Sequence, residues 1–209
     1  MIAGVLLAGG RSSRFGREKA VEPLGDGLVL MDVGVRTLQG ACDVVAVAAR
    51  EGSGAAGHAA KLGLPVLPDP YGVAAGPLAG VLAGITWARN QGATTLVTCP
   101  CDTLGVSEAA LAALATHQCA YASTADGPQF LVSAWPVNAA APLLEEAARQ
   151  DRHPSVRSLL ETLGAKPEPM DGLRNVNTPA DLTRLSKENG AGEAIRTPDP
   201  HLGKVMLYP

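Results

Sequence analysis

Arg11, Arg14, Arg17 and Lys19 bring four cations into nine residues, opposed within that stretch only by Glu18. Ser12 and Ser13 add hydroxyl donors, and Gly9-Gly10 stands just ahead, where the backbone can turn its N–H groups toward an anion. The chain as a whole has a formal net charge of −3, so this positive charge is local. Such a cluster suits a small polyanionic ligand carrying phosphate. The second group able to do chemistry is Asp102, which follows Thr98-Cys99-Pro100-Cys101. A carboxylate at the end of a strand can hold Mg²⁺ through oxygen beside phosphate oxygens.

Both groups depend on strands to position them. Residues 2–8 are continuously apolar rather than alternating, the pattern of a strand buried on both faces, and the run stops at the two glycines. Residues 94–99 read as another strand, cut off by Pro100, so Asp102 stands at its carboxyl end. If the strands are parallel, it shares a sheet edge with the first loop. Two common phosphate loops are excluded by counting. Five residues separate Gly10 from Gly16, and Arg-Glu-Lys follows, so G-x-x-x-x-G-K-[ST] is absent, as is G-x-G-x-x-G.

Residues 7–20, LAGGRSSRFGREKA, resemble the signature L-A-G-G-x-S-x-R-[FM]-G-x-x-K of nucleotidyltransferases, and within them of the molybdenum cofactor guanylyltransferases. TCPCDT resembles that family's C-P-C-D-x-P stretch, GPLAG (residues 76–80) matches without a change, and NVNTPADL matches N-V-N-T-P-x-D-L. Motifs in the expected order are more specific than any one alone, and they span roughly residues 2–185.

The resemblance implies an α/β fold of three layers, a mostly parallel twisted sheet with helices on both faces, Rossmann-like in the nucleotidyltransferase manner. It implies transfer of GMP from GTP to the terminal phosphate of Mo-molybdopterin, with release of pyrophosphate. The nucleotide-binding residues would be Leu7, Ala8, Gly9, Gly10, Lys19, Asp69 and Asp102. Arg14, Lys19 and Asp102 would be catalytic, with Asp102 the Mg²⁺ ligand. Asn175 and Asn177 would lie on the molybdopterin side. The GPLAG glycines would let a purine ring lie against backbone. Implied partners are GTP, Mo-molybdopterin and the maturation proteins of molybdoenzymes. Two departures stand out: Leu104 replaces a usual proline, and Ala48-Ala49 stands where the family often has an asparagine. A related CTP-dependent or sugar-phosphate nucleotidyltransferase remains open, as does a binding module without chemistry; Gly9-Gly10 in place of L-A-A-G leans toward guanine.

Aromatic residues make up 3% of the chain while hydrophobic residues make up 46%, so alanine, valine and leucine must fill the core and helices can approach the sheet closely. Outside the first loop there is no basic face, and the pI near 5.8 argues against a nucleic-acid partner. The start of the chain has no secretion signal, which leads to a cytoplasmic expectation with reduced Cys42, Cys99, Cys101 and Cys119. Residues 71–88 lack a charge and place Gly76, Gly80 and Gly84 at a membrane-helix spacing. Pro77, the glycines and the close flanks Asp69 and Arg89 favour instead a helix of a water-soluble fold lying near a sheet or ligand.

The remaining pattern alternates strands and helices: helix over 28–39, strand over 43–48, helix over 55–61, strand over 64–67, helix over 76–90. Ser107 is the expected N-cap of a helix running to His117. Two strands flanking Asp126-Gly127-Pro128 are expected at a sheet edge or as a flap. Helices over 137–150 and 154–163 and a strand over 165–170 follow, and then Thr178, Pro179 and Asp181 spell a helix start. One nucleotidyltransferase domain over 1–188 is expected, with a disordered tail over 189–209.

Overall fold

The computed structural model describes residues 1–10, 15–68, 77–150 and 154–188. In chain order the first half forms β1 (Ile2–Leu7), a 3₁₀ turn (Lys19–Val21), β2 (Pro23–Gly25), β3 (Leu28–Val29), α1 (Leu30–Ala41), β4 (Val44–Ala48), α2 (Gly54–Lys61), β5 (Val66–Leu67) and α3 (Pro77–Asn90). The second half forms β6 (Thr95–Pro100), β7 (Thr103–Leu104), α4 (Glu108–Thr116), β8 (Ala120–Thr124), β9 (Gly127–Pro136), α5 (Val137–Arg149), α6 (Val156–Thr162), β10 (Lys166–Pro169), β11 (Arg174–Asn175) and α7 (Pro179–Glu188).

Seven strands make one sheet in the order β10-β8-β9-β6-β1-β4-β5. Only β9 runs against the others: it is antiparallel to both β6 and β8, while β1 is parallel to β4 and β6, β4 to β5, and β8 to β10. One face is covered by α1, α2 and α4 through Met31, Val35, Leu38, Ala55, Ala59, Leu111 and Leu114. The other is covered by α3, α5 and α6 through Leu78, Val81, Ile85, Ala140, Leu144 and Leu160. This is the three-layer α/β architecture expected from the sequence. Each fully buried Leu, Ile, Val or Met side chain among these contributes about 1.5–3 kcal/mol by leaving water, and each alanine less.

The close approach expected from the small residues is realised on both sides of β1. A Cβ added to Gly34 of α1 would lie 2.5 Å from Leu6 Cδ1, and one added to Gly84 of α3 would lie 3.2 Å from Val5 Cγ2. No helix among the described residues is long and apolar enough to cross a membrane. The glycine spacing of α3 therefore serves helix-on-sheet packing. The Ser107 N-cap also forms, accepting from the Ala110 amide.

Two expectations are corrected. The hairpin around Asp126-Gly127-Pro128 is neither a sheet edge nor a flap: β9 is inserted between β6 and β8, and β10 takes the edge. Its anchor is polar as well as apolar. Thr98 Oγ1 donates to the Leu131 carbonyl at 2.8 Å, Trp135 Nε1 donates to Thr98 Oγ1 at 3.2 Å, and Thr98, Ser133 and Trp135 have no exposed surface. A buried network with its donors satisfied fixes one register. The helix expected over 28–39 begins two residues later, because Leu28 and Val29 pair with Pro23 to Gly25 in a small hairpin.

Candidate active site at the sheet's switch point

From β1 the chain proceeds outward to β4 and β5, then crosses back to lay β6 on the other side of β1. The carboxyl ends of β1 and β6 therefore bound the crevice where parallel α/β sheets bind ligands. Leu7 lies opposite Pro100, and the Cys101 amide donates to the Leu7 carbonyl at 3.1 Å, so residues 8 and 102 leave the sheet side by side.

Lys19, at the 3₁₀ turn, reaches across this crevice. Its Nζ donates to Asp102 Oδ2 at 2.7 Å and to the Val176 carbonyl at 2.6 Å. The lysine side chain is 12% exposed and the aspartate 29%, so the pair sits at the mouth of the site with one side toward solvent. Loop and carboxylate thus face one cleft.

A strap from the end of the chain closes the other wall. β11 pairs antiparallel with β7, and the Val176 amide donates to the Asp102 carbonyl at 2.8 Å. Val176 holds three things at once: its N–H fixes the Asp102 backbone, its carbonyl receives Lys19, and its side chain packs with Phe15 and Leu30. Leu104 packs on the same cluster, which gives this departure from the usual proline a structural role. The strap crosses the loop after β7 so closely that a Cβ on Gly105 (φ +82°) would lie 2.1 Å from the Gly172 carbonyl oxygen. Only glycine fits there. Thr103 Oγ1 donates to Asn175 Oδ1 at 3.0 Å and Asn175 Nδ2 to Gln129 Oε1 at 3.2 Å, a row of polar groups along the strap.

Arg17 forms an ion pair with the buried Glu22. Glu18 turns away from Lys19 and accepts from the first two amides of α2, Gly54 and Ala55, both at 2.8 Å. Burial, then the negative charge of Asp102, pushes the Cys101 thiol up to about 12; burial does the same to Cys99. At neutral pH both stay protonated, and neither is a nucleophilic thiolate. All four cysteines are free.

Of the anticipated residues, Leu7, Ala8, Lys19, Asp102 and Asn175 come together around this crevice, with Gly9 half-buried and Gly10 exposed at its rim. Arg14 and Asp69 lie outside the described residues, as does Gly76 of GPLAG. Gly80 is corrected: a Cβ there would lie 3.0 Å from Leu7 Cδ2 and 3.4 Å from Ala48 Cβ, so this glycine admits the strand rather than a base. Ala48 and Ala49 are fully buried and offer no polar substitute for the family's asparagine. Asn177 is exposed, and its amide, with that of Thr178, donates to Asp181 Oδ2 at 2.8 Å as the helix-start pattern predicts. Sequence reasoning missed the Val176 carbonyl and Gln129. A backbone acceptor carries no side-chain signature, and Gln129 gains its place only when β9 is inserted in the sheet.

No group of three or more His, Cys, Asp or Glu that could hold a metal is present among the described residues. Asp102 supplies one hard oxygen donor, which fits a divalent cation held jointly with substrate phosphates and does not fit a metal caged by protein alone.

Residues 4–168 match the MobA-like NTP transferase domain. The molybdenum cofactor guanylyltransferase of Rhodobacter capsulatus is 36% identical over 88% of this chain and 94% of its own, and that of Acidiphilium cryptum is 34% identical over 87% and 92%. Molybdopterin-guanine dinucleotide biosynthesis protein A from Archaeoglobus fulgidus shares the fold, with a TM-score of 0.67 and 24% identity over 88% of this chain and 96% of that one. With a crevice at the switch point of the sheet, family motifs at its rim and similarity across nearly the whole chain, this protein belongs to the MobA-like NTP transferases, within the molybdenum cofactor guanylyltransferases.

Proposed function

We propose that this chain transfers GMP from GTP to the terminal phosphate of Mo-molybdopterin. An oxygen of that phosphate forms a bond to the α-phosphorus of GTP, the α–β phosphoanhydride bond breaks, and pyrophosphate leaves with the bonding electrons. The observation that carries the reading is Lys19 Nζ at 2.7 Å from Asp102 Oδ2, across the carboxyl ends of β1 and β6, in a chain of this family.

The nucleophile is already anionic, so no general base is needed and the protein's task is alignment and neutralisation of charge. Lys19 meets the charge that develops on the leaving pyrophosphate. Arg14 joins it, and the backbone after Leu7 and Ala8, with Gly9 and Gly10, lines the phosphates. Among the described residues a Cβ on Gly10 would meet nothing within 4 Å, so their packing does not require glycine there, whereas close approach of a phosphate to the backbone would. Asp69 contacts the nucleotide. Asn175, oriented by Thr103 and Gln129, and Asn177 face the acceptor. Asp102 holds the divalent cation, Mg²⁺ in our reading, which when bound draws charge from the triphosphate oxygens.

Pyrophosphate release from GTP in the presence of Mo-molybdopterin and Mg²⁺ tests this. Release with GTP and not with CTP is expected. Release with CTP alone would move the chain to its cytidylyl relatives, and tight GTP binding without release would make it a carrier.

A further inference from the structure

Glu18 has no place in the chemistry above, yet it is the residue next to Lys19 and its carboxylate is fully engaged. Oε2 accepts from Gly54 N and Oε1 from Ala55 N, both at 2.8 Å, so one carboxylate closes both leading amides of α2. The Ser53 hydroxyl accepts from the third, Ala56 N, at 3.1 Å. A carboxylate at a helix start is favoured by the helix dipole and by charge-assisted hydrogen bonds. Here it comes from a distant part of the chain and anchors a loop to a helix.

That helix is itself held at its other end. His58 Nε2 lies 2.7 Å from Asp32 Oδ1, and Asp32 Oδ2 accepts from Val29 N at 2.8 Å, so α2 is tied to the start of α1. The far side of the loop is closed by Arg17 with Glu22 and by the Leu30 amide on the Glu22 carbonyl at 2.9 Å. Lys19 therefore projects from a short segment fixed on both sides. Its neighbour's carboxylate is the link to the framework, and the fit there is tight: a methyl on Gly54 would come 2.9 Å from Glu18 Oε2 and 3.1 Å from Val21 Cγ2.

We infer that Glu18 is a positioning residue for Lys19, setting the ammonium on the line between Asp102 and the nucleotide phosphates by docking the loop on the first turn of α2. The inference rests on the proposed role of Lys19. Misplacement of a charge by an ångström is enough to lower turnover substantially.

The test is a double-mutant cycle on the full chain, with Glu18→Ala, Lys19→Ala and the pair. Turnover is read as pyrophosphate release with Mo-molybdopterin, and GTP affinity by titration with Mg²⁺ and no acceptor. The affinity arm closes the cycle even where Lys19→Ala turns over too slowly to measure. Glu18→Ala is expected to lower turnover about tenfold and affinity about threefold. In the Lys19→Ala background it should change either by less than about twofold, because its effect runs through the lysine. Gly54→Ala presses on the same contact from the helix side and leaves the residues of the loop unchanged. An alanine at that helix position favours the helix by itself, so a loss of about threefold, again absent without Lys19, would not come from a weakened fold. Thermal unfolding of each variant within a few degrees of the parent excludes unfolding as the cause.

Losses that multiply in the pair, or full turnover and affinity in Glu18→Ala, would overturn the inference and leave the role of Lys19 intact. Unchanged turnover and affinity in Lys19→Ala would overturn both.

Discussion

On the side of the sheet that runs β1-β4-β5, helices meet strands through glycines; on the side that runs β6-β9-β8-β10 they meet them through leucines and a tryptophan. Gly34 admits Leu6, Gly80 admits Leu7, and Gly84 admits Leu96 of β6 together with Val5, so β1 is gripped from both faces with backbone close to side chain. On the other side Leu111, Leu114, Leu160 and Trp135 are fully buried, and the inserted β9 is fastened by Thr98. The difference teaches where rigidity is needed. The loop that carries Lys19 follows β1 directly in the chain. The second side instead carries the strap, and its bulk holds a strand that local sequence would not place there.

The comparison would break first at Trp135. Trp135→Ala should destabilise the fold by about 3–5 kcal/mol, read as a fall in the urea midpoint, while GTP affinity of the folded fraction stays close to the parent's. A loss of affinity as large as the loss of stability would mean that the two sides are not separable. Asp102→Ala should do the reverse. It removes charge at the mouth of the site and little packing, so turnover should fall about 10²–10³-fold, with stability changed by less than about 1 kcal/mol. Normal turnover would take Asp102 out of the site.

The glycine side is sharpened by a smaller change. Gly34→Ala places a methyl 2.5 Å from Leu6 Cδ1 and should cost about 1–3 kcal/mol through overpacking, despite the better helix propensity of alanine. Gly84→Ala, whose nearest contacts are 3.1 and 3.2 Å, should cost less. Equal costs at the two positions, or a gain at Gly34, would show that β1 has room to move.

Much of the first side could be read from the sequence because its instructions are local. The apolar run before Gly9 gives β1, and the ordered motifs bring Lys19 and Asp102 to one edge once the strands are parallel. Gly80 and Gly84 signalled close packing, but not against what; only the register of β1 shows that Gly80 faces Leu7. The second side was harder for a physical reason. Residues 120–136 spell a hairpin, and a hairpin is equally content at an edge or inside a sheet. What decides is the bond between Thr98 and Trp135, thirty-seven residues apart, and no local pattern encodes it. The strap is similar: NVNTPADL announces a helix start, whereas the Val176 carbonyl that receives Lys19 lies 157 residues away in the chain.

The smallest effect concerns that helix start, the piece of the second side that was legible. The Asp181 carboxylate accepts from the Asn177 and Thr178 amides at 2.8 Å, and the Asp181 amide donates to Thr178 Oγ1 at 3.3 Å. The Asn177 amide first, then that of Thr178, holds the carboxyl below its ordinary value of 3.8. A carboxyl depressed in the folded state adds stability that is present above the unfolded value and is lost as pH falls through the folded one. Asp181→Asn should therefore be less stable than the parent at pH 6, and the difference should shrink only below about pH 3.8, as the parent's own carboxyl protonates. Because the group is at the surface, the difference should also narrow with added salt. A gap between parent and variant that stays constant from pH 6 to pH 2 would mean that shape, and not charge, starts α7.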